Sequence, residues 1–184
     1  MELILIAIAL AMDSVAVSIA SGSKYRTIDF LTTLKIALFF GFFQGLMPLI
    51  GYFLGSMFAK FVDSFDHYLA FAILIFLGYR MIKEAMEEDF EEEVSDLRNK
   101  TLFFLAIATS IDALAIGITF SFDDTPIWYA VSLIAGITFI LCIIAVYIGK
   151  MLGGFLEDKA EFLGGAILIV LAFKILLEGI GVLG

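Results

Sequence analysis

The chain has few of the residues on which most enzyme active sites and structural metal sites depend. Its 184 residues include one cysteine, one histidine and two prolines. A single cysteine excludes an intramolecular disulfide and a cysteine-based metal cluster. The sequence has no P-loop motif and no Ser/His or Cys/His constellation, so neither ATP hydrolysis nor nucleophilic catalysis is expected. We therefore predict that the protein is not an enzyme, has no bound cofactor and has no nucleic-acid partner.

Charged residues are also scarce, at 17% of the chain, and they lie between long apolar runs. At a rise of about 1.5 Å per residue, a run of about 20 residues crosses a hydrocarbon core of roughly 30 Å. Four runs are long enough: 3–20, 36–58, 102–122 and 126–149. Two shorter runs, 68–79 and 162–173, each end at a basic residue and then resume. The pattern predicts an all-α integral membrane protein with six transmembrane helices in the lipid bilayer.

The chain contains an internal repeat. Residues 3–20 align with residues 102–119 at an offset of 99, and this alignment superposes Asp13 on Asp112. A later pair of segments, AILIFLGYRMIKE and AILIVLAFKILLE, aligns at an offset of 94. Chance similarity between two apolar helices is common, but here the alignment includes the same rare intramembrane charges.

The repeat predicts the topology of the two halves. A unit of three helices crosses the membrane an odd number of times, so the second copy must enter in the opposite orientation. We predict two inverted three-helix repeats, residues 1–86 and 101–184. The acidic stretch EEDFEEEVSD belongs to the connector, residues 87–100, which we expect to be solvated.

Lysine and arginine are distributed unevenly between the loops. The loops on one side carry Lys24, Arg26, Lys35, Lys83, Arg98, Lys100, Lys150 and Lys159, whereas the other side carries Lys60 alone. Positively charged residues favour the cytoplasmic side of a membrane. We therefore expect both termini to lie outside.

Two carboxylates lie in the middle of predicted membrane spans. Asp13 and Asp112 are each eleven residues into a run, on helices of opposite direction. An ionised aspartate at this depth costs a few kcal/mol even on the lenient insertion scale, so it normally faces a cavity, a partner or an ion. The alternative is a protonated or hydrogen-bonded packing residue.

Small residues at helical spacing surround both aspartates, and they predict that the first and fourth spans cross beside them. In the first span these residues are Ala7, Ala11, Ser14 and Ser18, and in the fourth they are Ala106, Ser110, Ala113 and Gly117. Two carboxylates brought together repel unless they share a proton or bind a cation. Pro48 has no N–H and cannot donate to the Gln44 carbonyl, so this carbonyl oxygen is available as a further oxygen at the site. The lost hydrogen bond also favours a kink in the helix. The predicted metal ligands are Asp13, Asp112, Gln44, Ser14, Thr109 and Ser110. This oxygen-rich set suits Mn²⁺, Mg²⁺ or Ca²⁺.

Arg80 and Lys174 are the other intramembrane charges. Each is followed four residues later by a glutamate, Glu84 and Glu178, which predicts snorkelling and an i,i+4 ion pair. The alternative is that they balance the two aspartates when no metal is bound.

Three segments carry a resemblance to a known family. MDSVAVSIA (12–20), FGFFQGLMPLIGY (40–52) and ATSIDALAIGI (108–118) closely resemble the signatures of the MntP manganese exporters, in the lysine-exporter-like superfamily. The resemblance implies Mn²⁺ efflux across a prokaryotic inner membrane, with Asp13 and Asp112 at the family's essential aspartates. Position 44 is Gln in this chain, where some members of the family carry Glu.

These observations favour a secondary transporter that exports Mn²⁺ by alternating access around the two aspartates, with protons as a possible second substrate. The alternatives are an exporter or exchanger of another divalent cation, such as Cd²⁺ or Ca²⁺, and a non-transport accessory subunit of a membrane complex. The sequence leaves the oligomeric state open.

Overall fold

The computed structural model describes residues 2–25, 28–58, 66–84, 99–122, 125–152, 166–167, 169–170, 172–174 and 176–177. The helices are α1 (Glu2–Lys24), α2 (Phe30–Phe58), α3 (Asp66–Glu84), α4 (Asn99–Ala108), α5 (Ile111–Phe120) and α6 (Ile127–Leu152). The described residues between 166 and 177 are also helical, and no strand occurs in the described ranges.

Length and apolar composition mark several of these helices as membrane spans. Helices α1, α2 and α6 qualify individually, and α4 with α5 makes a fourth span if the two are one span bent by 42°. The all-helical membrane class is therefore confirmed. Six spans and the inverted repeat stay predictions, because α3 is not among the qualifying helices and half of the run 162–173 lies outside the described residues. So does the predicted connector, except for Asn99 and Lys100, which begin α4.

Helix α1 is the central element of the described structure. Its apolar window is 72% buried, against 28% for that of α6. Helix α1 packs mainly on α6, while α2 packs on both α6 and α5, and α3 packs on α5. The large apolar side chains exposed on α2 and α6, among them Phe42 and Ile140, suit contact with lipid tails.

Glycines let α1 and α6 touch backbone to backbone. A Cβ atom on Gly22 would come within 3.0 Å of the Val146 carbonyl oxygen, and one on Gly149 would come as close to the Ile19 carbonyl oxygen. Real Cβ atoms essentially never approach backbone so closely, so both positions require glycine. Close backbone approach of this kind is how helices associate in lipid, where the hydrophobic effect offers little.

Helices α2 and α5 pack in the same way. A Cβ atom on Gly117 would clash with the Pro48 carbonyl oxygen, and one on Gly51 would clash with the Leu114 carbonyl oxygen. Helix α2 continues as one helix through Pro48. The predicted role of Gly117 as a contact residue is correct, but it lies against the second span and not against the first.

The fourth apolar run was predicted as one helix, and the structure breaks it at Thr109 and Ser110. The Ser110 N–H donates to the Ile107 carbonyl, three residues back, over 3.1 Å. The Ser110 hydroxyl donates to the Ala106 carbonyl over 2.6 Å. Hydroxyl groups that compete for helix carbonyls in this way bend helices, and here two such residues are adjacent. The break lies two residues before Asp112.

Candidate metal site

All six predicted ligands are buried, although they come from three spans. Asp112, Ser14, Gln44 and Ser110 are 0% exposed, Asp13 is 6% exposed and Thr109 is 8% exposed. Burial of this many polar side chains in an apolar helical protein requires internal hydrogen bonds or a bound ion. The hydrogen bonds of the described residues show which of the six side chains the fold brings together.

A hydrogen bond joins the first span to the break in the fourth span. The Ser14 hydroxyl donates to the Thr109 hydroxyl over 3.2 Å, and both groups are buried. Ser14 follows Asp13 directly, and Thr109 lies three residues before Asp112, at the helix break. The first and fourth spans therefore meet at this point through side chains, whereas α1 packs mainly on α6, and the predicted close crossing beside the aspartates stays a prediction.

Gln44 connects the second span to the same region of α1. Its Nε2 donates to the Leu10 carbonyl oxygen, one turn before Asp13. Its Oε1 has no hydrogen-bond donor among the described residues. The side chain is therefore held by its nitrogen, while its carbonyl oxygen, the atom that a hard cation would bind, remains available.

The helix break positions Asp112 in the first turn of α5. Its Oδ1 accepts a hydrogen bond of 2.8 Å from the Ala113 N–H. The first N–H groups of a helix lack partners within the helix and carry partial positive charge. The break therefore supplies a second helix start within the fourth span, and the N–H groups of that start lie beside the Asp112 carboxylate.

Ser110 is buried beside Asp112, but its hydroxyl proton is directed to the backbone of α4. The described bonds run to the Ala106 carbonyl at 2.6 Å and to the Ile107 carbonyl at 3.1 Å. Any part that Ser110 takes in metal binding would use its oxygen lone pairs alone.

Lys174 has a partner that the sequence did not predict. Its Nζ forms an ion pair with Glu2 Oε1 at the start of α1. Glu2 lies eleven residues before Asp13, a rise of roughly 16 Å along the helix. In this structure Lys174 therefore neutralises a carboxylate at the start of α1. Glu178 and the side chains of Arg80 and Glu84 lie outside the described residues.

The sequence reasoning missed three buried polar residues: Ser21 and Thr33, whose hydroxyls donate to backbone carbonyls, and Thr138 on α6, which is 0% exposed. The only signal of Thr138 in the sequence is a hydroxyl within the apolar run 126–149.

Within the described ranges, no group of three or more His, Cys, Asp and Glu side chains could hold a metal ion. Any negative charge that the described residues supply at the site therefore comes from Asp13 and Asp112, and the other oxygens are neutral.

Comparison with known proteins identifies close relatives. The family described as "Putative manganese efflux pump" (Mntp) matches residues 27–176. A "Putative manganese efflux pump MntP" of Campylobacter curvus is 54% identical over 177 residues, covering 96% of each chain. The protein of the same description from Gloeothece citriformis is 48% identical and covers 96% of this chain and 94% of its own. A third, from Clostridium perfringens, is 43% identical over 205 residues, covering 100% of this chain and 96% of its own.

No solved structure matches the chain. The family match spans most of the sequence and includes Gln44 and Asp112, and the relatives align over nearly the full length, including α1. On this likeness, the chain belongs to the MntP family.

Proposed function

We propose that this protein is a secondary transporter that exports Mn²⁺ from the cytoplasm by alternating access around Asp13 and Asp112. The observation that carries the proposal is that both carboxylates are buried in apolar helices. The Ser14–Thr109 hydrogen bond joins the two spans that carry them. The relatives described as "Putative manganese efflux pump MntP" support manganese as the transported ion.

The chemistry of the site supports a divalent cation as substrate. A cation that enters the membrane loses its hydration shell, and this loss requires compensating charge and oxygen ligands. Asp13 and Asp112 would together neutralise a divalent ion. Gln44, Ser14, Thr109 and Ser110 would supply neutral oxygens around it. We further propose that protons occupy the carboxylates after the metal leaves, which would relieve the repulsion between them.

Matching glycine contacts in the two halves support the inverted repeat. Gly149 meets the Ile19 carbonyl, and a Cβ atom on Gly55 would lie 2.9 Å from the Ile118 carbonyl oxygen. Gly55 and Gly149 are separated by 94 residues, whereas Ile19 and Ile118 are separated by 99. These are the two offsets of the sequence repeat. We propose that the α1–α6 pair and the α2–α5 pair exchange roles as the site opens to one side and then to the other.

The decisive experiment measures Mn²⁺ transport by the purified protein in liposomes for Asp13→Asn and Asp112→Asn. Asparagine is nearly isosteric with aspartate but neutral, so each change removes one anionic ligand and preserves packing. We expect transport to be lost and Mn²⁺ affinity to fall at least about 100-fold, since even outer-shell changes cost 10- to 100-fold. The melting temperature of the metal-free protein should hold or rise, because repulsion is relieved.

Asp29→Asn is the matched control, because Asp29 is an exposed aspartate between α1 and α2. Titration of the purified protein with Mn²⁺, Mg²⁺, Ca²⁺ and Cd²⁺ gives the affinity for each ion. Among the ions that the protein transports, Mn²⁺ should bind with the highest affinity. If both Asn variants are stable, inserted and still export Mn²⁺ at near parental rates, the two aspartates are packing residues and the proposal fails.

A further inference from the structure

Thr138 differs from the other buried hydroxyl residues of the described structure. Those residues donate to a helix carbonyl or to another hydroxyl: Ser14, Ser18, Ser21, Thr33, Thr109 and Ser110. Thr138 is 0% exposed, and its Oγ1 has no hydrogen-bond partner among the described residues. A buried hydroxyl without a partner costs free energy, and a threonine in a helix could avoid this cost by donating to the carbonyl four residues back.

Thr138 lies on α6 at the level of the candidate metal site. Cys142, one turn further along the same face, places its Sγ 3.6 Å from the Ser14 carbonyl oxygen. Ser14 is the residue after Asp13 and bonds Thr109. Because α6 packs along α1, the face that carries Thr138 and Cys142 lies against the stretch of α1 that contains the aspartate.

The contacts of α6 with α2 place Gln44 near the same position. A Cβ atom on Gly41 would lie 3.0 Å from the Phe139 Cβ, and one on Gly45 would lie 3.0 Å from the Ala135 Cβ. Gly41 and Gly45 flank Gln44 on α2, while Ala135 and Phe139 flank Thr138 on α6. The two buried side chains thus come from facing segments of these helices.

The spacing of residues also relates Thr138 to Gln44. In α2, Gln44 is followed by Gly51 and Gly55, seven and eleven residues later. In α6, Thr138 is followed at the same distances by Ala145 and Gly149. Gln44 and Thr138 are thus 94 residues apart, the same offset that relates Gly55 to Gly149. These two glycines pack against the carbonyls of Ile118 and Ile19, which are 99 residues apart. Thr138 is therefore the counterpart in the second half of Gln44, whose Oε1 also has no hydrogen-bond donor among the described residues.

We infer that Thr138 supplies its Oγ1 as a further neutral oxygen ligand to the transported divalent cation, as the counterpart in the second half of Gln44 in the first. This inference rests on the proposed function. It accounts for a hydroxyl that is held inside the protein without a hydrogen bond, because a hard cation binds hydroxyl and amide oxygens as well as carboxylates. Buried polar groups that lack a partner occur at functional sites, where the cost is retained for a ligand.

The test compares Thr138→Val, Thr138→Ala and Thr138→Ser in the full-length protein, with Mn²⁺ as the probe. Equilibrium dialysis in detergent gives the Mn²⁺ dissociation constant, and liposome transport gives KM and the maximal rate. We expect Val and Ala to weaken Mn²⁺ binding about tenfold, the size of effect from one lost neutral ligand. Ser should restore binding to within about twofold, since it keeps the oxygen.

Thermal unfolding separates a ligand from a structural hydroxyl. The metal-free Val variant should melt at or above the parental temperature, because an unpartnered buried hydroxyl becomes a methyl group. The additional stabilisation that Mn²⁺ gives the parent should shrink in the Val and Ala variants, because it follows from the affinity. If Val does not fold, the comparison of Ala with Ser, which differ only in the hydroxyl, decides the question.

Thr33→Val is the matched control. Thr33 is also fully buried, but its hydroxyl donates over 3.1 Å to the Asp29 carbonyl at the start of α2. Its loss should leave the Mn²⁺ dissociation constant unchanged. Parental Mn²⁺ binding by both Thr138→Val and Thr138→Ala would overturn the inference. If Asp13→Asn abolishes binding in the same assay, the proposed function stands without Thr138. If Asp13→Asn and Asp112→Asn also bind Mn²⁺ normally, the proposed function fails as well.

Discussion

The hydroxyls of Ser14 and Thr109 lie 3.2 Å apart in the interior of the protein, although 95 residues separate them in the chain. Ser14 directly follows one mid-span aspartate, and Thr109 precedes the other by three residues. Thr109 also begins the break between α4 and α5. The bond therefore joins α1 to the break that precedes the helix start carrying Asp112.

Removing this hydrogen bond should weaken metal binding. We expect Ser14→Ala and Thr109→Val each to weaken Mn²⁺ binding by about three- to tenfold, because each change removes an oxygen and the hydrogen bond that joins the two spans. The double variant should lose less than the product of the two factors, since both changes break the same interaction. Equilibrium dialysis with Mn²⁺ measures all three variants.

Ser21→Ala is the control for this double-mutant cycle. Ser21 is buried on the same helix, but its hydroxyl donates to the Val17 carbonyl of α1 itself, over 2.7 Å. Its removal should leave the Mn²⁺ affinity unchanged. Fully multiplicative effects of Ser14→Ala and Thr109→Val would show that the two hydroxyls act independently and would contradict the coupling.

The glycine contacts give a prediction about stability. Gly117→Ala should destabilise the protein by about 1–3 kcal/mol or prevent its accumulation, because the new Cβ atom meets the backbone of Pro48, which cannot move aside. Gly136→Ala is the matched control. A Cβ atom on Gly136 meets nothing within 4 Å, so alanine should be neutral or stabilising by up to about 1 kcal/mol. Thermal unfolding in detergent and the yield of monodisperse protein report both effects. Equal stability of the two variants would mean that α2 and α5 are further apart than described.

Sequence patterns predicted which residues lie inside this protein better than they predicted which residues touch. The depth of Asp13 and Asp112 in apolar runs was sufficient to predict their burial, and small residues at helical spacing marked Gly117 as a contact position. A stripe of small residues identifies a face of a helix, however, and not the helix that packs on it. Gly117 accordingly lies against α2, whereas the expected partner was α1.

The remaining features depend on long-range packing. The break at Thr109 and Ser110 has no proline or glycine to announce it, and hydroxyl residues often continue a helix. Thr138 was missed because a threonine in an apolar run usually donates to its own helix. The ion pair of Lys174 with Glu2 joins residues from opposite ends of the chain, which no local pattern indicates, and the predicted local partner Glu178 lies outside the described residues.

The start of α2 gives a prediction about pH. Hydrogen bonds from Thr32, chiefly from its side chain and then from its backbone N–H, hold the pKa of the Asp29 carboxyl below its usual value of 3.8, and Lys150 adds a smaller electrostatic effect. Because the pKa is lowered on folding, the stabilisation from this carboxylate is present above pH 3.8 and is lost as the pH falls through the lowered pKa. Asp29 is exposed, so the effect should be a small shift in melting temperature.

Asp29→Asn isolates this effect, since asparagine caps a helix about as well but does not titrate. The parental protein should melt slightly higher than the variant at pH 6, and the difference should begin to shrink near pH 3.8 and vanish as the pH falls through the lowered pKa of Asp29. Melting curves in detergent between pH 3 and pH 6 measure it. A difference that grows towards low pH would mean that burial, which raises the pKa, outweighs the bonds from Thr32.

The uneven distribution of lysine and arginine predicts the orientation of the protein, which sets the direction of export. The native thiol Cys142 is fully buried, so it should not react with a membrane-impermeant maleimide, and Cys142→Ala provides a background without cysteine. On that background, Thr125→Cys at the start of α6 should be labelled on intact cells. Tyr25→Cys, at the end of α1, should be labelled only after permeabilisation, because its loop carries the basic residues Lys24 and Arg26. Mn²⁺ transport by each cysteine variant, measured beforehand, ensures that the labelled protein is the functional one. The reverse labelling pattern would place both termini in the cytoplasm and would overturn the predicted orientation.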